Sequence, residues 1–324
     1  MTEQQNISQS AFEAICFAMT NLKWDYSRNS SGLQVESRIW GNDIPMDIVV
    51  AVDAENAMIK VRSELPFEVK ENENINIALA VSMINVNLEY GSFKYSSAEK
   101  KVWFAINYRF IGCEMSISVF EQILQYAVEV IDDYNDKLLL LSDSLMSLDE
   151  FSVFLTELIE QQHNGEEADT KQISLEKTEE VFNQIDNVVA LKTAKYTTDM
   201  ENLSVSFTLV GEDLPMDITV KADRKHEILK VSSPMPYKIS VDNRVTCAMG
   251  VCAVSAKMTA GNFDYDIING IITFRLTMPF KDCVITSDVI EDMIVYAEKV
   301  TDDYNDRFLA LDKGFLKLDS LING

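Results

Sequence analysis

Histidine is nearly absent: the 324 residues hold two, His163 and His226. A Ser-His-Asp or Cys-His nucleophile system needs an imidazole beside a pocket. His163 lies in a polar run, and His226 lies between two strand-like stretches, where it reads as an exposed turn residue. The five cysteines include no CxxC pair, and no GxGxxG, GxxxxGK, HExxH or EF-hand loop occurs. The usual signatures of nucleotide, zinc-protease and calcium sites are therefore missing. Basic residues are scarce, 28 against 52 acidic, for a net charge of −24 and a pI near 4.4. Such a chain is repelled by nucleic-acid phosphates and by anionic lipid. No apolar run is long enough to span a bilayer. The longest apolar-looking stretch, 75–88, carries Asn76, Ser82, Asn85 and Asn87.

The opening "MTEQQNISQS" has no basic segment followed by an apolar one. These absences lead to the expectation of a cytoplasmic protein with reduced thiols. They also lead to the expectation of no catalytic residue, no metal, no cofactor, no nucleic acid and no membrane partner. A hydrophobic fraction of 47% is enough to build proper cores, and the length suits about two domains.

What the chain does have is itself, twice. Adding 170 to a residue number finds its counterpart from Phe12 onward, without a gap as far as Leu148 and Leu318. "GNDIPMDIVVAVD" (41–53) faces "GEDLPMDITVKAD" (211–223), and "YAVEVIDDYNDKLLLL" (126–141) faces "YAEKVTDDYNDRFLAL" (296–311). Residues 1–160 form one module, 161–171 a polar linker, and 172–324 a second module. Within each, periodicity sets the elements. Phe12, Ile15, Cys16 and Met19 fall at i, i+3, i+4 and i+7, the stripe of an amphipathic helix. Leu33, Val35 and Ile39 alternate with polar residues, as in a half-buried strand. "MDIVVAV" and "MIKVRSEL" flank the polar turn "DAEN" and read as a hairpin. A helix apolar nearly all round follows at 72–89 and 242–258, then a second hairpin, then a long helix from about 117 or 287. In the second copy, Asn269-Gly270 suits a type I′ turn. The order helix, three strands, helix, two strands, helix implies an α+β fold with an antiparallel sheet. "SLDE" (147–150) is a capping box that opens a further short helix before the linker.

Two features are candidate sites. The repeated pentapeptide "DDYND" places Asp132, Asp133 and Asp136, and Asp302, Asp303 and Asp306, on the helix face opposite the apolar stripe. A single helical face offers a hard cation too few oxygens, so these carboxylates read as a solvated, salt-bridged or partner-facing surface. The other feature is the small-residue helix at 242–258. Ala248, Gly250, Cys252 and Ala253 permit close backbone approach, and an all-round apolar helix must be buried on more than one side. The two halves are therefore expected to form an intramolecular pseudo-dimer with this helix at their contact.

"LPMDITVKAD" with the strand "ILKVSS", the small-residue helix, and the closing "VIEDMIVYAEKVTDDYND" resemble the YbjN-type family of bacterial sensory-transduction regulators. That family has a type III secretion chaperone-like fold. The resemblance covers nearly the whole chain and rests on architecture and acidic character. It implies a non-enzymatic module that binds a protein or peptide, in pairs around which an extended partner segment wraps. The expected function is a bacterial interaction or regulatory protein with an acidic surface suited to a basic partner. Two other readings stand beside it. One is an acidic protein that competes with nucleic acid for a basic protein. The other is a hydrolase with paired carboxylates roughly 5–9 Å apart in a cleft.

Overall fold

The computed structural model describes residues 3–110, 115–166 and 175–323. Each half carries one antiparallel six-stranded sheet. In the first half, α1 (Glu3–Asn21) precedes β1 (Tyr26–Asn29), β2 (Gln34–Trp40), β3 (Pro45–Asp53) and β4 (Met58–Glu64). Then come α2 (Asn74–Asn85), β5 (Ser92–Ser96), β6 (Lys101–Arg109), α3 (Ile117–Ser142) and α4 (Leu148–Glu166). The second half repeats this as α5 (Leu175–Lys192), β7 (Tyr196–Asp199), β8 (Ser204–Val210), β9 (Pro215–Asp223), β10 (Ile228–Pro234), α6 (Arg244–Lys257), β11 (Asn262–Asp266), β12 (Ile271–Pro279), α7 (Ser287–Asp312) and α8 (Leu318–Asn323). Strand orders are β1-β2-β3-β4-β6-β5 and β7-β8-β9-β10-β12-β11.

The fold is thus α+β in two tandem modules, with four strands rather than three after each first helix. The extra strands, "YSRN" and "YTTD", are short, exposed edges without apolar alternation, so no periodicity announces them. Each sheet is tied together by an apolar rung across four strands. Val35, Val50, Val61 and Ile106 form it in the first half, and Val205, Val220, Val231 and Leu276 in the second. All eight are buried. Cross-strand apolar pairs of this kind fix register, because a one-residue slip would turn every one of them to water. Helices α1 and α3, and α5 and α7, cover the inner faces.

Ser147 and Glu150 form the reciprocal capping box. The Ser147 amide donates to Glu150 Oε2 at 2.8 Å, and the Glu150 amide donates to Ser147 Oγ at 3.2 Å. The helix they start is not short. It runs to Glu166, through the first six residues of the stretch expected as linker; residues 167–174 lie outside the described part. The β11–β12 turn is not type I′. Gly270 has φ +72°, while Asn269 takes no left-handed conformation and instead bonds Asp266 through its amide and side chain. Cys16, Cys247, Cys252 and Cys283 are buried free thiols, and Cys113 falls outside the described residues. No described helix is long and apolar enough to cross a membrane.

The halves meet along a seam of reciprocal contacts: α2 on α6, α2 on β11, and α6 on β5. Polar links flank it. Ser116 Oγ donates to the Lys281 carbonyl at 2.7 Å, and Arg109 pairs with Asp292 at 3.2 Å. The space left between β5–β6 and β11–β12 is about 20 Å³, room for a single water.

Candidate functional site

The acidic pentapeptide comes first, because its repetition invited a functional reading. Its first aspartates are half-buried and turn toward a loop. Asp132 accepts the Asn42 amide at 2.9 Å and the Asn42 side chain at 2.7 Å, in the turn between β2 and β3. Asp302 accepts the Glu212 amide at 3.1 Å in the equivalent turn. The glycine before each amide leaves room for the carboxylate. A Cβ on Gly41 would lie 1.9 Å from Asp132 Oδ1, and one on Gly211 would lie 2.0 Å from Asp302 Oδ1. The repeated Gly of "GNDIP" and "GEDLP" and the repeated first Asp of "DDYND" are therefore one device. It anchors a turn to a helix, and it is written twice because the fold is.

The rest of the pentapeptide divides by position. Tyr134 is buried edge-on against Phe93 and Phe154, with ring centroids 5.8 and 6.3 Å away. Asn135 and Asn305 are fully buried. Asp133 is half-buried under α4, which sends Gln162 Nε2 to it at 3.3 Å. Burial, helped by Asp132 and Glu129, pushes the Asp133 carboxyl up to about 6. Asp136 pairs with its neighbour Lys137. Asp303 and Asp306 remain exposed. The six aspartates thus do not form one acidic face.

The small-residue helix also divides. Cys252 reaches the seam, with its thiol 3.6 Å from the Ala78 carbonyl on α2. Ala248, one turn earlier on the same side, is fully buried. Gly250 does not face the seam. A Cβ there would stand 2.9 Å from both Leu311 and Leu321, on α7 and α8 of its own module. It lies about 200° around the helix from Cys252, which is the reason. Ala253, next to Cys252, is only partly buried. Burial pushes the Cys247 and Cys252 thiols up to about 12, so both behave as small apolar side chains rather than nucleophiles.

The seam is locked by two residues that periodicity did not single out. Lys94 on β5 donates to the carbonyls of Ser255 at 2.9 Å and Met258 at 3.3 Å, at the end of α6. Arg275 on β12 donates to the carbonyl of Asn85 at the end of α2 and to those of Glu89 and Gly91 in the loop that follows, each at 3.2 Å. Each half thus places a cation at the negative, carbonyl-bearing end of the other half's helix. The signal was a lone charge inside an apolar strand, "SFKYS" and "ITFRLT". His226 is likewise drawn to the seam rather than left as an exposed turn residue. Gln122 Nε2 donates to its carbonyl at 2.8 Å.

With the inner faces and the seam filled, the open surface is the outer face of β1–β3 and of β7–β9, where alternate residues are exposed. In the first half it is charged: Arg38 holds Asp47 through two bonds of 2.7 Å. In the second it is rich in hydroxyls: Ser206 meets Thr219 at 2.8 Å, and Thr208 donates to Asp217 at 2.6 Å. An open hollow of about 720 Å³ lies over Tyr196, Thr197, Ser206 and Thr208. At the end of β2 and β8, Trp40 is 77% exposed and its counterpart Val210 87%. Val210 edges a second open hollow of about 510 Å³ with Val295, Glu298 and Asp302. Trp40 and Val210 are thus large exposed apolar side chains at matching positions of the two sheets. No protein-family model, curated protein or solved structure matches the chain.

Proposed function

We propose that the chain is a non-enzymatic protein-binding module of the bacterial cytoplasm. In this reading its two halves act as a built-in pseudo-dimer of YbjN-like, chaperone-like units. The observation that carries the proposal is the pair of equivalent exposed apolar residues, Trp40 and Val210, at the margins of two open sheet faces. The reciprocal Lys94 and Arg275 caps support the pseudo-dimer, since they hold the two faces in fixed relation. A net charge of −24 favours a partner segment that is basic as well as apolar.

The test compares affinity purification of the wild-type chain and of a Trp40→Ser, Val210→Ser variant from the native source, with bound proteins quantified by mass spectrometry. Both residues are exposed, so the variant keeps its fold. The proposal expects a partner enriched by the wild type and lost from the variant. Equal recovery by both, or no enrichment over an unrelated acidic protein, overturns it.

A further inference from the structure

One place on the seam brings together chemistry that neither half holds alone. Glu89 lies between α2 and β5 of the first half; Asp223 ends β9, and His226 lies in the β9–β10 turn of the second. His226 Nδ1 stands 3.5 Å from Glu89 Oε2 and 3.5 Å from Asp223 Oδ1. One donor atom from each of the three lies within 4.8 Å of the other two. Nδ1 is itself buried and has no hydrogen-bond partner.

A separation of 3.5 Å is long for a hydrogen bond. It does match the edge of a metal tetrahedron, because two ligand atoms each about 2.0–2.1 Å from a tetrahedral zinc lie roughly 3.4 Å apart. The side chains of His226, Glu89 and Asp223 are 25%, 41% and 20% exposed, so the cluster lies near the surface although Nδ1 itself is covered.

The Asp223 carboxylate and the backbone at Glu89 are held in place from behind. The Asp223 carboxylate accepts the amides of Lys225 at 2.8 Å and His226 at 3.2 Å. Tyr126 Oη accepts the Glu89 amide at 3.1 Å, and Arg275 Nη1 donates to the Glu89 carbonyl.

The internal repeat supplies a control. The counterparts of Glu89, Asp223 and His226 are Thr259, Asp53 and Asn56. There Asp53 is occupied by Lys60 at 2.6 Å and by the Asn56 side chain at 2.9 Å. Two residues on opposite sides of the seam are therefore changed to ligand types at one of two equivalent places, and only there do they converge.

We propose that Glu89, Asp223 and His226 form a binding site for a divalent cation of the zinc or cobalt class, clasped across the two halves, with water completing the tetrahedron. Imidazole with carboxylate donors suits these ions better than magnesium or calcium, which take all-oxygen sets. Lys230 and Arg275 carry positive charge near Glu89, which weakens the site.

The experiment uses the full chain stripped with a chelator. Zinc is titrated by calorimetry in millimolar magnesium, which occupies exposed carboxylates, and cobalt is followed by its visible spectrum. The expected results are one equivalent of zinc, the intense visible bands of tetrahedral cobalt, and a rise of several degrees in the unfolding midpoint at saturation. His226→Asn and Glu89→Thr install the residues the other copy uses. Each is expected to weaken zinc by about tenfold or more while leaving the metal-free midpoint near wild type. Asp303→Asn, on the exposed face of α7, is expected to change nothing. Absence of a magnesium-resistant zinc equivalent overturns the proposal, and so does zinc binding of equal strength in both seam variants. A site that survives in them but falls with Asp303→Asn would be surface binding to the acidic face.

Discussion

Lys94 reaches across the seam to two carbonyls at the end of α6 with no ion pair to a carboxylate among the described residues; Arg275 reaches the other way to one carbonyl at the end of α2 and two in the loop after it, and is held by Asp264. The two caps do the same job at pseudo-equivalent places with different residues on different strands. The counterpart of Lys94 is Asp264 itself, and the counterpart of Arg275 is Ala105. Burial has unequal consequences for them. It pulls the Lys94 ammonium down to about 8, with Arg62 adding to the effect. It pulls on Arg275 too, but the Asp264 carboxylate more than offsets it and the guanidinium is driven above its ordinary range. A planar five-donor fork can serve a carboxylate and several carbonyls together, whereas a compact ammonium cannot. The lesson is that a duplicated fold conserves the electrostatic need, a cation at a helix C-terminus, and leaves the residue free.

Breaking this comparison should produce the largest effect. Arg275→Met leaves Asp264 buried and unpaired, and removal of one member of a buried ion pair costs about 3–5 kcal/mol. Lys94→Met strands two carbonyls but also removes an unpaired buried charge, so its cost is expected to stay within about 1 kcal/mol. Urea unfolding followed by tryptophan fluorescence measures both. Equal losses would mean that the two caps are energetically alike despite their chemistry. The pH dependence sharpens the point. Because the folded value for Lys94 lies below the ordinary one, the folded chain binds fewer protons between about 8 and 10.5. Wild-type stability should therefore gain on Lys94→Met as pH rises through that window.

A second comparison sets the two turn anchors side by side. Asp132 holds both the amide and the side chain of Asn42, while Asp302 holds the amide of Glu212 but not its side chain, which carries like charge, and accepts a long 3.5 Å bond from Asn305 on its own helix. Asp132→Ala is expected to cost about 2 kcal/mol and Asp302→Ala about 1 kcal/mol, in the range for hydrogen bonds to charged groups. Gly41→Ala should be destabilising in the wild-type chain, and much less so once Asp132 is alanine, since the new Cβ collides with that carboxylate. A double-mutant cycle by urea unfolding reads this coupling, and simple additivity would separate the Gly from the Asp.

These anchors also mark where the sequence stops speaking. Periodicity is a property of burial, so it disclosed what burial repeats: the stripes of α1 and α3, the rung residues Val35, Val50 and Val61, and the two-module plan. The capping box was legible because its donors and acceptors lie three residues apart. Asp132 and Asn42 lie 90 residues apart, and nothing local says that a carboxylate on the polar face of α3 will turn sideways into a loop. The same holds for His226 and Glu89, whose meeting needs both halves folded and joined. Gly250 shows the converse. Small size told that something packs closely on α6, but helix phase rather than composition decides that its neighbours are Leu311 and Leu321 instead of the other half.

The smallest expected effect separates the second aspartates, Asp133 and Asp303. Both follow an anchor residue on the same helical face, yet α4 covers Asp133 and holds Gln162 against it, while Asp303 is exposed on α7. Burial, the largest influence, raises the Asp133 carboxyl from its ordinary 3.8 to about 6. A carboxyl raised on folding makes the folded chain bind more protons than the unfolded one between those two values. Its contribution is therefore favourable below about pH 4 and is lost as pH rises through about 6. Asp133→Asn keeps an oxygen for Gln162 and removes the charge. It is expected to stabilise the protein at pH 7 by about 1 kcal/mol, after allowance for solvent screening of a half-exposed group. The gain should shrink toward zero as pH falls to 4. Asp303→Asn is expected to stay within about 0.5 kcal/mol of wild type at every pH, as an exposed substitution should. Thermal unfolding midpoints of the two variants across pH 4–8 decide the matter. Parallel curves for both would show that α4 does not desolvate Asp133, and that the two pentapeptides differ in name of neighbour but not in energy.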